Sequence, residues 1–404
     1  MKRVGILGGG QLGLLLVNSI FKLGGRASIY DQDGSAPGMH HVSRSYHGSW
    51  TDFDALKEFF QSVDVVTYEF ENVEATKLVE LEATRPVYPS IDVLKITQDR
   101  AKEKQFLRSC NLPHVNYAVA SSKEELRGVG GTVSFPCIIK TTRGGYDGKG
   151  QLAVADASQY DDAVESFWQP STTSAVVEQK VDLAKEVSCI VARSPDGSEV
   201  VFPVLENTHE DHILDTTLIP ATVPESVQSK VMEIALSTAR CINLVGLLTV
   251  EFFLCRSASG YETGIECDGW QIFINELAPR PHNSGHVTMN ACTISQYDAL
   301  ARILLDVPLT RPEMLGSDFY CMMNLLGDVW IDQGCQPDKP ELDLQILREH
   351  PNVIDVVIYG KVEARRKRKM GHFVTRAGTS HDALRSAQRF KEALVNCKKS
   401  NALN

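Results

Sequence analysis

The stretch Ile272-Phe273-Ile274-Asn275-Glu276-Leu277-Ala278-Pro279-Arg280-Pro281-His282-Asn283-Ser284-Gly285-His286 decides how the chain is read. Apolar residues alternate as far as Asn275 and Glu276, the period of a strand with one buried face. Pro279 and Pro281 then end it, because proline cannot donate to a sheet ladder. The turn that follows is dense in Arg280, His282, Asn283, Ser284 and His286. An acid at a strand end before a rigid polar turn suits chemistry on an anion. A polar surface loop has the same pattern, so the rest of the chain must decide.

Residues 246–254 predict a neighbouring strand that presents Glu251 among apolar side chains. A carboxylate there costs free energy unless it is paired or metal-bound. If the two strands are antiparallel neighbours, Glu251 and Glu276 stand side by side. Such a pair suits Mg²⁺ that also holds nucleotide phosphates. Upstream, residues 135–140 read as a strand ending in Lys140, followed by Thr141-Thr142-Arg143-Gly144-Gly145-Tyr146-Asp147-Gly148-Lys149-Gly150-Gln151. This is no Walker A loop, since Gly-Lys-Ser/Thr is missing and no helix pattern follows. It predicts a glycine-rich hairpin that folds over phosphates, with Lys140 reaching in as a point charge. Residues 175–179 are a strand running into Glu178-Gln179-Lys180-Val181, which reads an adenine edge or is an ordinary strand end. Residues 185–193 form a strand bearing Glu186, placed to hold ribose hydroxyls, and Asp196-Gly197 turns it into a hairpin. Residues 224–243 are a long amphipathic helix.

The N-terminus holds another glycine loop. A buried strand at 4–7 leads into Gly8-Gly9-Gly10-Gln11-Leu12-Gly13, a helix at 12–23, and a strand at 26–30 ending in Asp31. This is the Gly-x-Gly-x-x-Gly dinucleotide fingerprint with an acid about 20 residues on. The loop suits a phosphate or ribose of another ligand equally well. Thr51 is placed to cap a helix at 52–61, and the strand at 64–68 runs into Glu69-Phe70-Glu71-Asn72. Asp99 caps a helix at 100–110. A helix at 295–305 precedes a linker at 308–312. Strands at 322–326 and 353–359 then predict a small third domain. After them, Arg365-Arg366-Lys367-Arg368-Lys369 reads as a solvated face, a nuclear address, or a phosphate site.

At 404 residues the chain is long enough for two or three domains. Its net charge of −10 argues against a nucleic-acid binder. Ten scattered cysteines without Cys-x-x-Cys spacing point to a reducing compartment, the cytoplasm. No apolar run approaches the roughly 20 residues that cross a membrane, and Met1-Lys2-Arg3 does not begin a secretory signal.

Taken together, Lys140, Gly-Gly-Tyr-Asp-Gly-Lys-Gly-Gln (144–151), Glu178-Gln179, Glu251 and Asn-Glu-Leu-Ala-Pro-Arg-Pro-His-Asn-Ser-Gly-His (275–286) closely resemble the ATP-grasp ligases. Among these, the chain is similar to the 5-(carboxyamino)imidazole ribonucleotide synthase family of purine biosynthesis. The resemblance covers essentially the whole chain, including Lys369-Met370-Gly371-His372. It implies an α/β, ATP-grasp fold with a Rossmann-like pre-ATP-grasp domain at 1–98. An ATP-grasp domain follows at 99–307, with a lid at about 114–182, and a small C-terminal domain at 308–404. It implies that ATP, bicarbonate and 5-aminoimidazole ribonucleotide give the N-carboxylated ribonucleotide, ADP and phosphate through carboxyphosphate. For ATP it implies Arg100, Lys140, Tyr146, Asp147, Gly148, Lys149, Gly150, Gln151, Glu178, Gln179, Lys180 and Val181. Glu186, His209, Asn275 and Glu276 complete that set, with Mg²⁺ on Glu251 and Glu276. For the ribonucleotide it implies Gln11, Leu12, Glu69, Asn283, Ser284, Lys361, Arg368 and Lys369. Arg280, His282 and Lys361 are the catalytic candidates. The family is usually homodimeric, and fungal members are fused to a carboxyaminoimidazole ribonucleotide mutase. Nothing like that domain follows Asn404, which is compatible with a standalone enzyme or a piece of a longer one.

Two positions depart from the family pattern. Ala278 stands where many ATP-grasp enzymes place an asparagine. Arg365 to Lys369 replaces the common Arg-Pro-Gly-Arg-Lys, so the turn loses its Pro-Gly. The competing readings are a sister ATP-grasp enzyme such as formate-dependent glycinamide ribonucleotide transformylase, an NAD-dependent dehydrogenase built on Gly8 to Gly13, and a non-catalytic nucleotide-binding module. The dehydrogenase leaves the second glycine loop and the paired glutamates without a use.

Overall fold

The computed structural model describes residues 2–145, 149–256, 263–335 and 341–401. The apolar runs of the first hundred residues form a parallel sheet, as strands covered on both faces do. Arg3–Leu7 lies between Arg26–Asp31 and Val65–Tyr68, with Arg44–His47 at the edge. The helix Gln11–Lys22 turns Leu15, Leu16, Val17 and Ile20 into a core shared with Leu300, Ile303 and Leu304 of helix Gln296–Leu304. Ile190, Ala192 and Leu247 of the large sheet join the same core. Each such aliphatic side chain contributes about 1.5–3 kcal/mol on full burial, so the small and large sheets meet at a stiff apolar joint.

The large sheet is antiparallel and ten-stranded. Its order runs Ile265–Cys267, Trp270–Ala278, Gly246–Arg256, Leu183–Arg193, Leu205–Glu210, Ile213–Ile219, Phe319–Leu326, Lys369–Ala377, Val353–Ile358, with Glu199–Val201 beside Leu183–Arg193. The helix Glu225–Cys241 covers one face through Val227, Val231, Ile234 and Ala235. A separate four-stranded antiparallel sheet holds Tyr117–Ala120, Ala175–Gln179, Cys137–Thr141 and Gln151–Val154. Lys140 pairs with Gln151 there, so the expected hairpin is present.

Two local expectations change. The helix Phe53–Gln61 is capped by Asp52, whose carboxylate accepts from Ala55 N at 3.0 Å, and not by Thr51. Asp has the same reach one residue later and adds a charge that favours the positive helix end. The C-terminal strands do not build a sheet of their own. Phe319–Leu326 pairs with Ile213–Ile219 and so extends the large sheet. A local core of Trp330, Phe373, Phe390 and Leu394 packs the helix Ser380–Asn401 against it. No helix among the described residues is long and apolar enough to cross a membrane. None of the nine cysteines whose side chains are described forms a disulfide.

Candidate active site

Glu251 and Glu276 are direct register partners on adjacent antiparallel strands, as the sequence predicts. The pairing then slips by one: Phe252 faces Ile274, and Asn275 is the extra residue of a bulge. Bulges bend a strand and re-aim the next side chain; here that side chain is Glu276. The two acids differ in environment. His282 Nε2 lies 2.9 Å from Glu251 Oε1. Burial alone would raise the Glu251 pKa, but the His282 contact, with His209 and Arg280 beyond it, holds it down at about 2. Glu276 keeps an exposed surface on the cleft floor, yet the protein crowds it. Its pKa is raised by that desolvation and then by the Glu251 charge, against Arg100 and Lys140.

The nucleotide candidates gather above this pair. Lys140 Nζ donates to Glu178 Oε2 at 2.5 Å. Lys104 Nζ lies 3.4 Å from Glu178 Oε1. Burial pushes the Glu178 pKa up, and the two ammonium groups overcome it and bring it to about 2. Arg100 donates to Thr141 O at 3.1 Å and Gly145 O at 3.2 Å, tying its helix to the root of the glycine hairpin. The Gln179 amide donates to Asn116 O and the Lys180 amide to Pro136 O, both at 2.9 Å. Val181 is buried with Val115, Cys255 and Phe273 in a small apolar cluster beside that strand end. His209 Nδ1 sits 2.7 Å from Glu186 Oε2. Burial lowers the His209 pKa, but Glu186 and Glu251 outweigh it and raise the pKa. Lys149 is exposed, Gly150 has φ 72°, and the Gln151 amide reaches His212 Nδ1 at 3.5 Å. Tyr146, Asp147 and Gly148 lie outside the described residues.

The polar turn is braced from below. The His282 main chain is held at both ends by Gln296, which accepts from His282 N at 2.9 Å and donates to His282 O at 2.7 Å. Ser284, fully buried, bridges His282 Nδ1 and Ser188 Oγ, each at 2.9 Å. The Ser284 main-chain N–H also donates to Nδ1 at 3.4 Å, so Nδ1 accepts and Nε2 carries the proton toward Glu251. Arg280 Nε lies 2.9 Å from Glu71 Oε1. Asn283 is 6% exposed, and neither its amide nitrogen nor its oxygen has a partner in the protein. A buried amide in that state is built for a ligand or water.

The fingerprint loop behaves unlike a dinucleotide cradle. Gly9 N donates to Asp31 Oδ2 at 2.6 Å and Gly10 N to Glu69 Oε1 at 2.7 Å. The amides that would hold a pyrophosphate are thus taken by carboxylates, which argues against the dehydrogenase reading. Gly8, at φ 107°, leaves no room for a Cβ, which would lie 2.7 Å from Glu69. Gln11 is half-buried at the helix start, and Leu12 is buried, so its main chain is the part that can face a ligand.

Across from Glu69 stands the basic loop. Lys361 Nζ donates to Lys369 O at 2.7 Å. Burial, then the Arg368 and Lys369 charges, lower its pKa to about 8, against Glu69. Arg368 is half-buried and donates to Glu363 O at 2.9 Å. The run divides: Arg365 pairs with Glu363, Arg366 with Asp328 and Asp332, and Lys367 with Asp211, all exposed. Lys369 is half-buried and its charge acts on His209, Lys361 and His286. The solvated-face reading fits the first three cations, and the site reading fits Lys361, Arg368 and Lys369.

Sequence reasoning missed Lys104, one helical turn beyond Arg100 and 1% exposed. The i, i+4 spacing puts both on one helix face, a signal that was there to read. It also missed the stacked rings of His286 and His372, with centroids 4.5 Å apart. Each is fully buried and shares a 2.8 Å hydrogen bond with a tyrosine, Tyr297 or Tyr359. Burial lowers both pKa values, that of His372 to about 3, so both rings are neutral.

Family models match in three blocks: a ribonucleotide synthetase preATP-grasp domain over residues 1–98, an ATP-grasp domain over 105–297, and a phosphoribosylaminoimidazole carboxylase C-terminal domain over 321–387. The fold and the site are those of an ATP-grasp protein. The chain is 32% identical over 372 residues to N5-carboxyaminoimidazole ribonucleotide synthase of Bacillus subtilis, covering 91% of this chain and 90% of that one. It is 34% identical over 385 residues to a bifunctional purine synthesis protein of Dictyostelium discoideum, and spans 36% of that protein's length. N5-carboxyaminoimidazole synthase of Aspergillus clavatus, solved with ADP and 5-aminoimidazole ribonucleotide, superposes with a TM-score of 0.82 at 26% identity, covering 98% and 99% of the two chains. This chain belongs to the N5-carboxyaminoimidazole ribonucleotide synthase family.

Proposed function

We propose that this chain uses ATP and bicarbonate to carboxylate 5-aminoimidazole ribonucleotide, giving N5-carboxyaminoimidazole ribonucleotide, ADP and phosphate. The observation that carries the reading is the meeting of two half-sites. His209, in the nucleotide half, lies within the fields of both Glu251 and Lys369. Lys361, in the basic loop, lies within the field of Glu69.

Lys140 and the hairpin from Gly145 to Gln151 clamp the ATP phosphates, with Arg100 at the hairpin root. Glu178 to Val181 meet the adenine, and Glu186 with His209 the ribose side. Glu251 and Glu276 would hold Mg²⁺. Two carboxylates stand side by side, and the Glu276 pKa is raised by burial and then by the Glu251 charge. Such a set suits a hard cation that completes its shell with phosphate oxygens and water. Bound there, it neutralises charge on the transferring phosphoryl group.

The terminal phosphoryl group leaves ADP and bonds to a bicarbonate oxygen, giving carboxyphosphate. The exocyclic amine then bonds to that carbon, directly or through released CO₂, as phosphate departs and the nitrogen gives up a proton. Arg280 and His282 hold the bicarbonate-derived oxygens. Glu69, Asn283, Lys361, Arg368 and Lys369 hold the ribonucleotide, with Ser284 fixing the His282 ring. The hairpin excludes water, which would destroy carboxyphosphate. We also place the enzyme in the cytoplasm, as a homodimer working beside a carboxyaminoimidazole ribonucleotide mutase.

Phosphate release from ATP tests the reading. It should be fast only with both 5-aminoimidazole ribonucleotide and bicarbonate present, and Glu276→Gln should cut it by about 10²-fold or more. Formate replacing bicarbonate with full activity would move the chain to the transformylase reading.

A further inference from the structure

The strand that carries Glu276 has an incomplete edge. Gly246–Arg256 runs along one side of Trp270–Ala278. On the other side Ile265–Cys267 pairs only with Trp270, Gln271 and Ile272. The remaining main-chain groups would be orphaned, and buried orphans are costly. Ile274 N donates to Pro113 O at 2.9 Å. The next two partners are side chains of one helix, Arg100–Ser109. Lys104 Nζ donates to Asn275 O at 2.8 Å. Glu103 Oε2 accepts from Leu277 N at 2.9 Å. Both side chains are buried, at 1% and 2% exposure.

These contacts grip the residues on either side of Glu276. Asn275 is also the bulge residue, so Lys104 holds the point where the strand bends. The same ammonium group reaches Glu178, which Lys140 pairs from the other side. We infer that Glu103 and Lys104 are positioning residues: their side chains replace a missing strand edge and fix the aim of Glu276, and Lys104 ties that aim to the nucleotide clamp. This rests on the reading of Glu276 as a metal ligand.

A substitute edge made of a carboxyl group and an ammonium group has a use that a backbone edge lacks. A strand partner would fix the bulge but reach nothing else. Lys104 instead spans the large sheet and the lid sheet, holding Asn275 O on one and Glu178 on the other. Both side chains are committed to these contacts beside Glu276, so their loss should alter metal affinity more than ribonucleotide affinity.

The test measures Mn²⁺ binding to the full-length enzyme with ADP, by electron paramagnetic resonance, beside calorimetric binding of 5-aminoimidazole ribonucleotide. Groups that orient a metal ligand typically change metal affinity by about 10- to 100-fold when removed. Glu103→Leu and Lys104→Met should both weaken Mn²⁺ by that factor and leave ribonucleotide affinity alone. Glu103→Gln, whose amide oxygen still accepts from Leu277 N, should restore wild-type Mn²⁺ binding. If Lys104→Met does not fold, the Glu103 pair of variants carries the comparison. Wild-type Mn²⁺ affinity in Glu103→Leu overturns the inference. Glu276→Gln run alongside separates the failures: unchanged Mn²⁺ there removes the metal assignment, whereas weakened Mn²⁺ there with unchanged Glu103→Leu removes only the positioning role.

Discussion

The chain has two glycine loops, and they are electrostatic opposites. At Gly9 and Gly10 the amides donate to the carboxylates of Asp31 and Glu69, while that of Gly8 donates to Tyr30 O. The strands that flank the second loop, Cys137–Thr141 and Gln151–Val154, are antiparallel partners, with Lys140 and Arg100 at its root. Glycine content tells only that the backbone must come close to something. What it approaches is set by side chains far away in sequence: Glu69 lies 59 residues from Gly10. The first loop's amides are already taken by acid, and in our proposal it faces the ribonucleotide. The second has Lys140 and Arg100 at its root, and in our proposal it takes the ATP phosphates.

The contrast breaks most readily at the second loop. Lys140→Ala should lower kcat/KM for ATP by about 10²-fold or more, the cost of losing a donor aimed at developing charge. The KM for 5-aminoimidazole ribonucleotide should stay near wild type; if both constants fall together in steady-state kinetics, the loops are not separate sites. Arg368→Ala is the mirror experiment. One charge-assisted bond to a phosphate is worth about 1.5–3 kcal/mol, so ribonucleotide use should drop roughly 10- to 150-fold with ATP's KM unmoved. An unaltered ribonucleotide KM and kcat would take Arg368 out of the site.

Lys361 adds a pH arm. Its pKa is lowered to about 8, so the cation is present below that pH and is lost as pH rises through it. kcat/KM for the ribonucleotide should therefore decline on the alkaline side with a limb near 8. Lys361→Arg, charged at every working pH, should lose that limb; a limb that survives belongs to another group. A smaller effect is expected at Lys367, which has φ 63° in the turn closed by Arg368 N to Arg365 O at 3.1 Å. The family's common turn has glycine at this position. Lys367→Gly should raise stability in urea by up to about 1 kcal/mol, less whatever the Nζ contact to Asp211 supplies, since glycine keeps the main-chain bond to Asp328. The smallest expected effect is none: millimolar NAD should leave the melting temperature unchanged, while 5-aminoimidazole ribonucleotide raises it by mass action. A NAD shift would mean that the first loop's amides can be freed.

Much of this was legible from the chain alone. The pairing of Glu251 with Glu276, the hairpin between Lys140 and Gln151, and the Asp99 cap were all read from short-range pattern, and the structure has each of them. The bulge at Asn275 was not, because a one-residue slip leaves no mark on the alternation of apolar residues. Leu205–Glu210 and Ile213–Ile219 were overlooked because their buried positions include Asn207, Thr216 and Thr217, polar residues that break the apolar pattern, and Thr217 donates to Asn207 at 3.0 Å. Lys104 was passed over because a lysine in Arg-Ala-Lys-Glu-Lys looks like a solvated helix face. Only the tertiary fold shows that a carboxylate waits for it.

Because Phe319–Leu326 takes its edge from Ile213–Ile219, the C-terminal strands are sewn into the sheet that bears Glu251 and Glu276. The acceptor half of the reaction therefore melts with the donor half. A partly unfolded molecule that still grips ATP but has lost Arg368 and Lys369 should be scarce at equilibrium. On the proposed mechanism that scarcity spares ATP: no long-lived species remains to make carboxyphosphate with no amine in place to capture it. Cooperativity of the fold thus acts as a safeguard against idle turnover, independently of anything the hairpin does.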